Sequence, residues 1–169
     1  MKGLLDTTIS LLEVHKLMYF MQLAGEPLHL EYSLGPNGPC ADNLRSVLFP
    51  AANLISGYAD SDDTSNEPLS LVSGHVEDAN AFLLANPETR TRIERVGALV
   101  DGFETPFGLE LLATVHWITK HSQDSDTHMD VIANTCTGND RKRPFSPRQI
   151  DIALTTLSDK GWIRQLSMA

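Results

Sequence analysis

The sequence predicts a mainly α fold of the α+β class, rich in helices, with small β-hairpins and winged-helix-like lobes. Most of the chain falls into segments with helical apolar spacing or with helix start and stop signals, and the strand-like segments between them are short. With 169 residues, of which 41% are hydrophobic and 21% charged, the composition is that of an ordinary soluble globule. This length suits one domain or two small lobes.

The N-terminal part is predicted to combine helices with short strands. The segment 7–24 is apolar except for a narrow polar strip, so we expect a mostly buried helix that stops at Gly25 and Pro27. Residues 28–34 alternate apolar and polar side chains, the period of a half-buried strand. The remaining elements predicted here are a turn at 35–39, a short helix at 41–48, a loop at 58–68 and a short strand at 69–71.

Helices dominate the remainder. Asn86-Pro87, Thr105-Pro106 and Ser146-Pro147 each place a capping side chain before a proline, which is typical of a helix start. The last part has the element order of a winged helix-turn-helix. The predicted helices are 76–85, 87–102, 105–121, 129–136 and 147–159. We predict one domain over 1–169, with lobes at about 1–75 and 103–169 joined by helices 76–102.

The charged residues are unevenly distributed. The chain has a formal net charge of -9, which argues against nucleic acid or an anionic membrane as a partner of the whole chain. Residues 46–89 contain no Lys or Arg, whereas residues 141–164 carry six bases and two acids. An acidic surface can solvate the fold, repel nucleic acid or imitate nucleic acid to a basic partner. The acids of the base-free stretch are Asp60, Asp62, Asp63, Glu67, Glu77, Asp78 and Glu88.

Two ligand alternatives follow from the charges. The acidic loop offers oxygen ligands for Ca²⁺, but it lacks the central Gly and terminal Glu of an EF-hand. The basic segment Arg141–Arg148 offers a rival function, a winged-helix regulator that binds DNA. Few base-reading side chains follow Arg148 and Gln149 on that helix, so reuse of the module for protein contact is the favoured interpretation.

No catalytic motif is present in the sequence, and no cofactor or metal is predicted. Cys40 and Cys136 stand alone, which indicates reduced thiols in a cytoplasmic protein. No segment is apolar for long enough to span a bilayer, so no membrane is expected. Asp6 and Glu13 interrupt the place where a signal peptide would need an apolar run.

Two sequence blocks resemble a known family. The first is Leu12–Gln22 with Ala24–Leu28, accompanied by Gly35-Pro36, Asn43-Leu44-Arg45 and Ile55–Tyr58; the second is Val100–Trp117. Together they closely resemble the C-terminal domain of the DarG antitoxins of DarT/DarG toxin–antitoxin systems, over nearly the whole chain. The part after about His121 matches most weakly.

The resemblance implies a function. In that family a macrodomain removes ADP-ribose from DNA, and the C-terminal domain binds DarT, a toxin that uses NAD to ADP-ribosylate thymidine in single-stranded DNA. Nothing in this chain resembles the macrodomain, so the sequence predicts an antitoxin domain without enzyme activity, and the natural N-terminus is left open. The domain is expected to block the DNA cleft of DarT by acidic mimicry. The candidate toxin-binding residues are Tyr58, Asp60, Asp62, Asp63, Glu67, Glu77 and Asp78.

Overall fold

The computed structural model describes residues 9–50, 55–56, 68–71, 75–121, 130–131, 135 and 145–164. The predicted helix-rich α+β class is confirmed. The helices are α1 (Leu11–Leu23), α2 (Leu44–Leu48), α3 (His75–Ala85), α4 (Pro87–Val100), α5 (Pro106–His121) and α6 (Pro147–Asp159). The strands are β1 (Ile9–Ser10), β2 (Tyr32–Gly35), β3 (Gly38–Ala41), β4 (Ile55–Ser56) and β5 (Pro68–Leu71).

The strands form two small sheets. In one sheet β5 lies between β1 and β4 and pairs antiparallel with both. Ile9 lies opposite Leu69 in this sheet, and Ile55 lies opposite Leu71. In the other sheet β2 pairs with β3, and the two residues between them are Pro36 and Asn37. Gly38 follows with a φ of 84°, a conformation that glycine adopts without steric cost.

Helix α1 starts later than the sequence pattern suggests because Ser10 caps it. The Ser10 hydroxyl accepts a hydrogen bond from the Glu13 backbone N–H at 3.3 Å, and the Glu13 carboxylate accepts one from the Ser10 N–H at 2.8 Å. This reciprocal pair is a capping box, which satisfies backbone donors at the first turn. The prediction that a helix beginning at residue 7 continues through residues 9 and 10 is therefore wrong, because these two residues form β1.

The predicted strand at 28–34 is also shorter in the structure. Side chains make hydrogen bonds to the backbone groups before Tyr32. The Gln22 side-chain amide donates a hydrogen bond to the Leu30 carbonyl at 3.0 Å and accepts one from the Leu30 N–H at 2.6 Å. The Asn43 amide likewise accepts from the Glu31 N–H and donates to the His29 carbonyl, both at 2.9 Å. With these backbone groups bonded to side chains, a sheet partner is not required for them.

The chain divides into two compact units. The first unit consists of Met1–Tyr32 and Ala41–Gly97, and the second unit consists of Ser33–Cys40 and Ala98–Ala169. The core of the first unit joins α1 to the strands and α2 through buried apolar residues. These are Leu11, Leu30, Ala41, Leu44 and Leu69. Beside this core, the buried His15 ring accepts a hydrogen bond from the Ala41 N–H at 3.2 Å, and the Tyr32 hydroxyl donates to the His15 carbonyl at 2.9 Å.

The second unit is built on α5 and α6, which pack against each other. The buried side of α6 consists of Ile150, Ala153, Leu154 and Leu157. Both predicted helix starts are confirmed: Thr105 Oγ1 accepts from the Gly108 N–H at 3.0 Å, and Ser146 forms a capping box with Gln149. Whether the two lobes are winged helices stays a prediction. None of the described helices is long and apolar enough to cross a membrane.

Candidate interaction surface

Helix α3 holds the two candidate toxin-binding residues that the structure describes. Both Glu77 and Asp78 are exposed and lie in the first turn of α3. Acidic side chains are favourable at this end of a helix, because the free backbone N–H groups carry a partial positive charge. Their placement is therefore explained locally, without a partner.

The charges of Glu77 and Asp78 are not neutralised by neighbouring bases. Among the described residues, the one ion pair of Asp78 is with His75, whose Nδ1 lies 3.6 Å from the Asp78 carboxylate, and no salt bridge involves Glu77. The Asp78 side chain is 84% exposed. A weak contact to a histidine at the surface leaves most of the carboxylate charge available to a cation on another molecule.

The acids of α4 differ from those of α3, because arginines hold them. Arg92 contacts the carboxylates of Glu26 and Glu88 at 2.9 and 3.2 Å, and Arg90 pairs with Glu94 at 2.9 Å. Glu26 also accepts a hydrogen bond from Thr89 at 3.2 Å. Arg92 thus fastens the segment after α1 to α4.

An open pocket of about 310 Å³ lies beside the Arg92 side chain and is lined by Ala24, Glu88, Thr91, Arg92 and Arg95. Arg92 already contacts two carboxylates there. The lining thus combines one acid, Glu88, with two arginines, Arg92 and Arg95.

The other candidate toxin-binding residues, Tyr58, Asp60, Asp62, Asp63 and Glu67, lie outside the described residues. The basic residues Arg141, Lys142 and Arg143 of the rival DNA-binding interpretation lie outside them as well, as does Cys136. Arg148 is described and is exposed in the first turn of α6.

The exposed side of α6 carries mixed charge. Arg148 shares it with Asp151, Ile152, Thr155 and Asp159, all of which are exposed. A helix that reads DNA lies close to phosphates, where carboxylates are repelled. The two acids therefore count against the DNA-binding alternative for this helix.

Three described titratable groups have shifted pKa values, each for a local cause. Burial lowers the pKa of His116 to about 4, with a further contribution from Lys120. Burial also raises the pKa of Tyr19, and hydrogen bonds from backbone N–H groups lower the pKa of Glu104. Within the ranges described, no group of three or more His, Cys, Asp or Glu residues is placed to hold a metal ion.

Sequence reasoning missed the apolar residues on α3. Leu84 is 73% exposed and Phe82 is 59% exposed, and no residue of the helix is buried. The sequence predicted a helix over 76–85 and made no prediction of which of its apolar side chains are exposed. The signal that could have revealed them is the acids in the same helix together with the absence of any base from residue 46 to residue 89.

No family model matches the chain, but related proteins do. The chain is 34% identical over 163 residues to a DNA ADP-ribosyl glycohydrolase of Thermus aquaticus, and the match covers 96% of this chain and 44% of the relative. It is 28% identical over 152 residues to proteins of that name from Mycobacterium bovis and Mycobacterium tuberculosis, covering 86% of this chain and 43% of each relative. The chain is thus similar to part of proteins named DNA ADP-ribosyl glycohydrolase.

These matches correct one prediction. The sequence alone predicted a chain without enzyme activity, and that prediction is contradicted because relatives that match 86–96% of the chain are named for an enzyme. The prediction rested on the absence of any resemblance to the macrodomain and on the absence of a known catalytic motif. The chain spans less than half the length of the relatives it matches.

Proposed function

We propose two functions for this protein. The first is the reversal of DNA ADP-ribosylation, and the second is the binding and neutralisation of the DNA ADP-ribosyltransferase toxin DarT. The first part is supported by the name of the relatives, which describes hydrolysis of ADP-ribosyl groups on DNA. The second part takes up the resemblance of the two sequence blocks to the toxin-binding domain of DarG antitoxins.

One observation carries the toxin-binding part: the base-free stretch places Glu77 and Asp78 on the surface of α3 without a Lys or Arg partner among the described residues. A toxin that binds single-stranded DNA needs a positively charged groove for the phosphates. Unpaired carboxylates on an exposed helix compete for such a groove, because they present negative charge to the same cations.

The test is complex formation with a catalytically inactive DarT toxin. We expect a 1:1 complex in size-exclusion chromatography with light scattering, and we expect single-stranded DNA to compete with it. The double variant Glu77→Gln/Asp78→Asn should associate more slowly than the wild type and with a weaker dependence on salt. The matched control Asp151→Asn/Asp159→Asn removes the same charge from α6, outside the base-free stretch, and should leave association nearly unchanged.

A second measurement addresses the hydrolytic part. The protein is incubated with ADP-ribosylated single-stranded DNA, and released ADP-ribose is quantified. Release above the uncatalysed rate is the expected result. Absence of a toxin complex would contradict the toxin-binding part, and absence of release would contradict the hydrolytic part, so the two parts can fail separately.

A further inference from the structure

Helix α3 is an apolar helix that the described fold leaves on the surface. Seven of its 11 residues are apolar, and none of the 11 is buried. Monomeric proteins rarely leave large apolar side chains clustered in water, and such clusters mark interaction sites. Burying a Phe or Leu side chain is favourable, so a partner that covers the exposed Phe82 and Leu84 would gain stability from the contact.

The helical period gives α3 a less exposed side and an outer side. Val76 and Leu83 are half-buried and lie seven residues apart, which places them on one side of the helix. Phe82 and Leu84 are exposed and lie to either side of Leu83 in sequence, about 100° around the helix from it.

The acids of α3 lie beside its exposed apolar residues. Asp78 is four residues before Phe82, and Glu77 is seven residues before Leu84, so each pair shares a helix face. The two pairs lie on opposite flanks of the outer side, with their apolar members about 160° apart around the helix, and the exposed Ala81 and Ala85 lie between them. A complementary surface is an apolar groove with Lys or Arg along its border.

The charges also favour a different protein over a second copy of this chain as the occupant. Two α3 helices packed together would bring four carboxylates into one interface, and α3 supplies no Lys or Arg to offset them. Like charges at an interface are strongly unfavourable. A basic groove offers the missing cations.

From this arrangement we propose that α3 is a docking helix that inserts Phe82 and Leu84 into an apolar groove bordered by cations on the toxin. The proposal rests on the proposed function, since the toxin is its partner. It adds that the two apolar residues govern dissociation, whereas Glu77 and Asp78 govern the rate of association. Helix-in-groove recognition commonly divides these roles between apolar anchors and charged borders.

The experiment measures association and dissociation rates with immobilised, catalytically inactive DarT. Phe82→Ala and Leu84→Ala should each raise Kd roughly 10- to 100-fold, mainly through faster dissociation. Ile152→Ala is the matched control, because Ile152 is an exposed aliphatic residue, 47% accessible, on α6. It should change Kd less than about twofold. Phe82→Leu keeps the apolar side chain and should retain most of the affinity.

Two outcomes would overturn the docking proposal alone. In the first, the wild type binds the toxin and the α3 variants match Ile152→Ala. In the second, light scattering shows that the free chain forms dimers that Leu84→Ala disrupts. If the wild type does not bind the toxin at all, the docking proposal and the toxin-binding function fail together. Circular dichroism of every variant establishes that changes in Kd do not reflect loss of helix.

Discussion

Helices α3 and α5 are both rich in apolar residues, yet their surroundings are opposite. Apolar residues make up seven of the 11 positions in α3 and eight of the 16 in α5. Nine residues of α5 are buried, whereas none of α3 is. Apolar content therefore does not by itself identify a core helix. Helix α5 is covered in part by α6 of the same chain.

The largest contrast between the two helices should be in stability. Leu112 on α5 is fully buried, so Leu112→Ala should lower the free energy of unfolding by about 2–5 kcal/mol, through lost burial and a residual cavity. Leu84→Ala on α3 makes the same chemical change at the surface and should cost less than about 0.5 kcal/mol. Urea unfolding at pH 7 measures both. Equal losses would contradict the assignment of α3 to the surface.

A second difference should be seen on acidification, because α5 contains a buried histidine. Burial lowers the pKa of His116 to about 4, with Lys120 adding to the effect, whereas an unfolded chain has a histidine pKa of about 6.5. The unfolded state thus binds a proton more readily between pH 6.5 and 4. The stability that neutral His116 contributes is fully present above pH 6.5 and is lost as the pH falls toward 4, by roughly 3 kcal/mol.

Urea unfolding at several pH values checks this, with His116→Gln as the variant that cannot titrate. The slope of stability against pH between 6.5 and 4 should be smaller in the variant. An identical slope in the two proteins would show that other groups cause the acid sensitivity.

Substituting two glycines by alanine should change stability by smaller amounts and in opposite directions. A Cβ at Gly108, in the first turn of α5, would lie 2.6 Å from the Phe103 carbonyl oxygen and 2.9 Å from its carbonyl carbon. Gly108→Ala should therefore destabilise the protein by about 1–3 kcal/mol. A Cβ at Gly97, within α4, would meet nothing within 4 Å. Gly97→Ala should stabilise it by about 1 kcal/mol, since alanine favours helix. Thermal unfolding that moves both variants in the same direction would contradict this.

Local signals in the sequence were sufficient for much of the fold. The starts of α4, α5 and α6 were predicted from proline after a capping residue, and Gly102 ends α4 as expected, with a φ of 86°. Predictions failed where side chains replaced a regular backbone pattern: the amides of Gln22 and Asn43 satisfy the backbone of residues 29–31. Such long-range bonds leave no periodic trace in the sequence.

The candidate surface was predictable only in part. Charge counting found Glu77 and Asp78, because the absence of bases over a long stretch is visible in the sequence. It also counted Glu88 in the same stretch, although Glu88 was not a candidate toxin-binding residue, and the structure pairs Glu88 with Arg92. Phe82 and Leu84 were not identified, since helical spacing cannot show whether an apolar side is covered by the same chain or by another. That distinction depends on tertiary packing.

Hydrogen–deuterium exchange, followed by peptide mass spectrometry, tests the central claim most directly. The wild-type protein is measured alone and with an excess of catalytically inactive DarT. Amides of α3 should exchange quickly in the free protein and slow markedly in the complex, because the toxin covers the helix, whereas amides of α5 should exchange slowly in both. The account would be contradicted if a complex forms and protection is gained elsewhere while exchange in α3 stays unchanged.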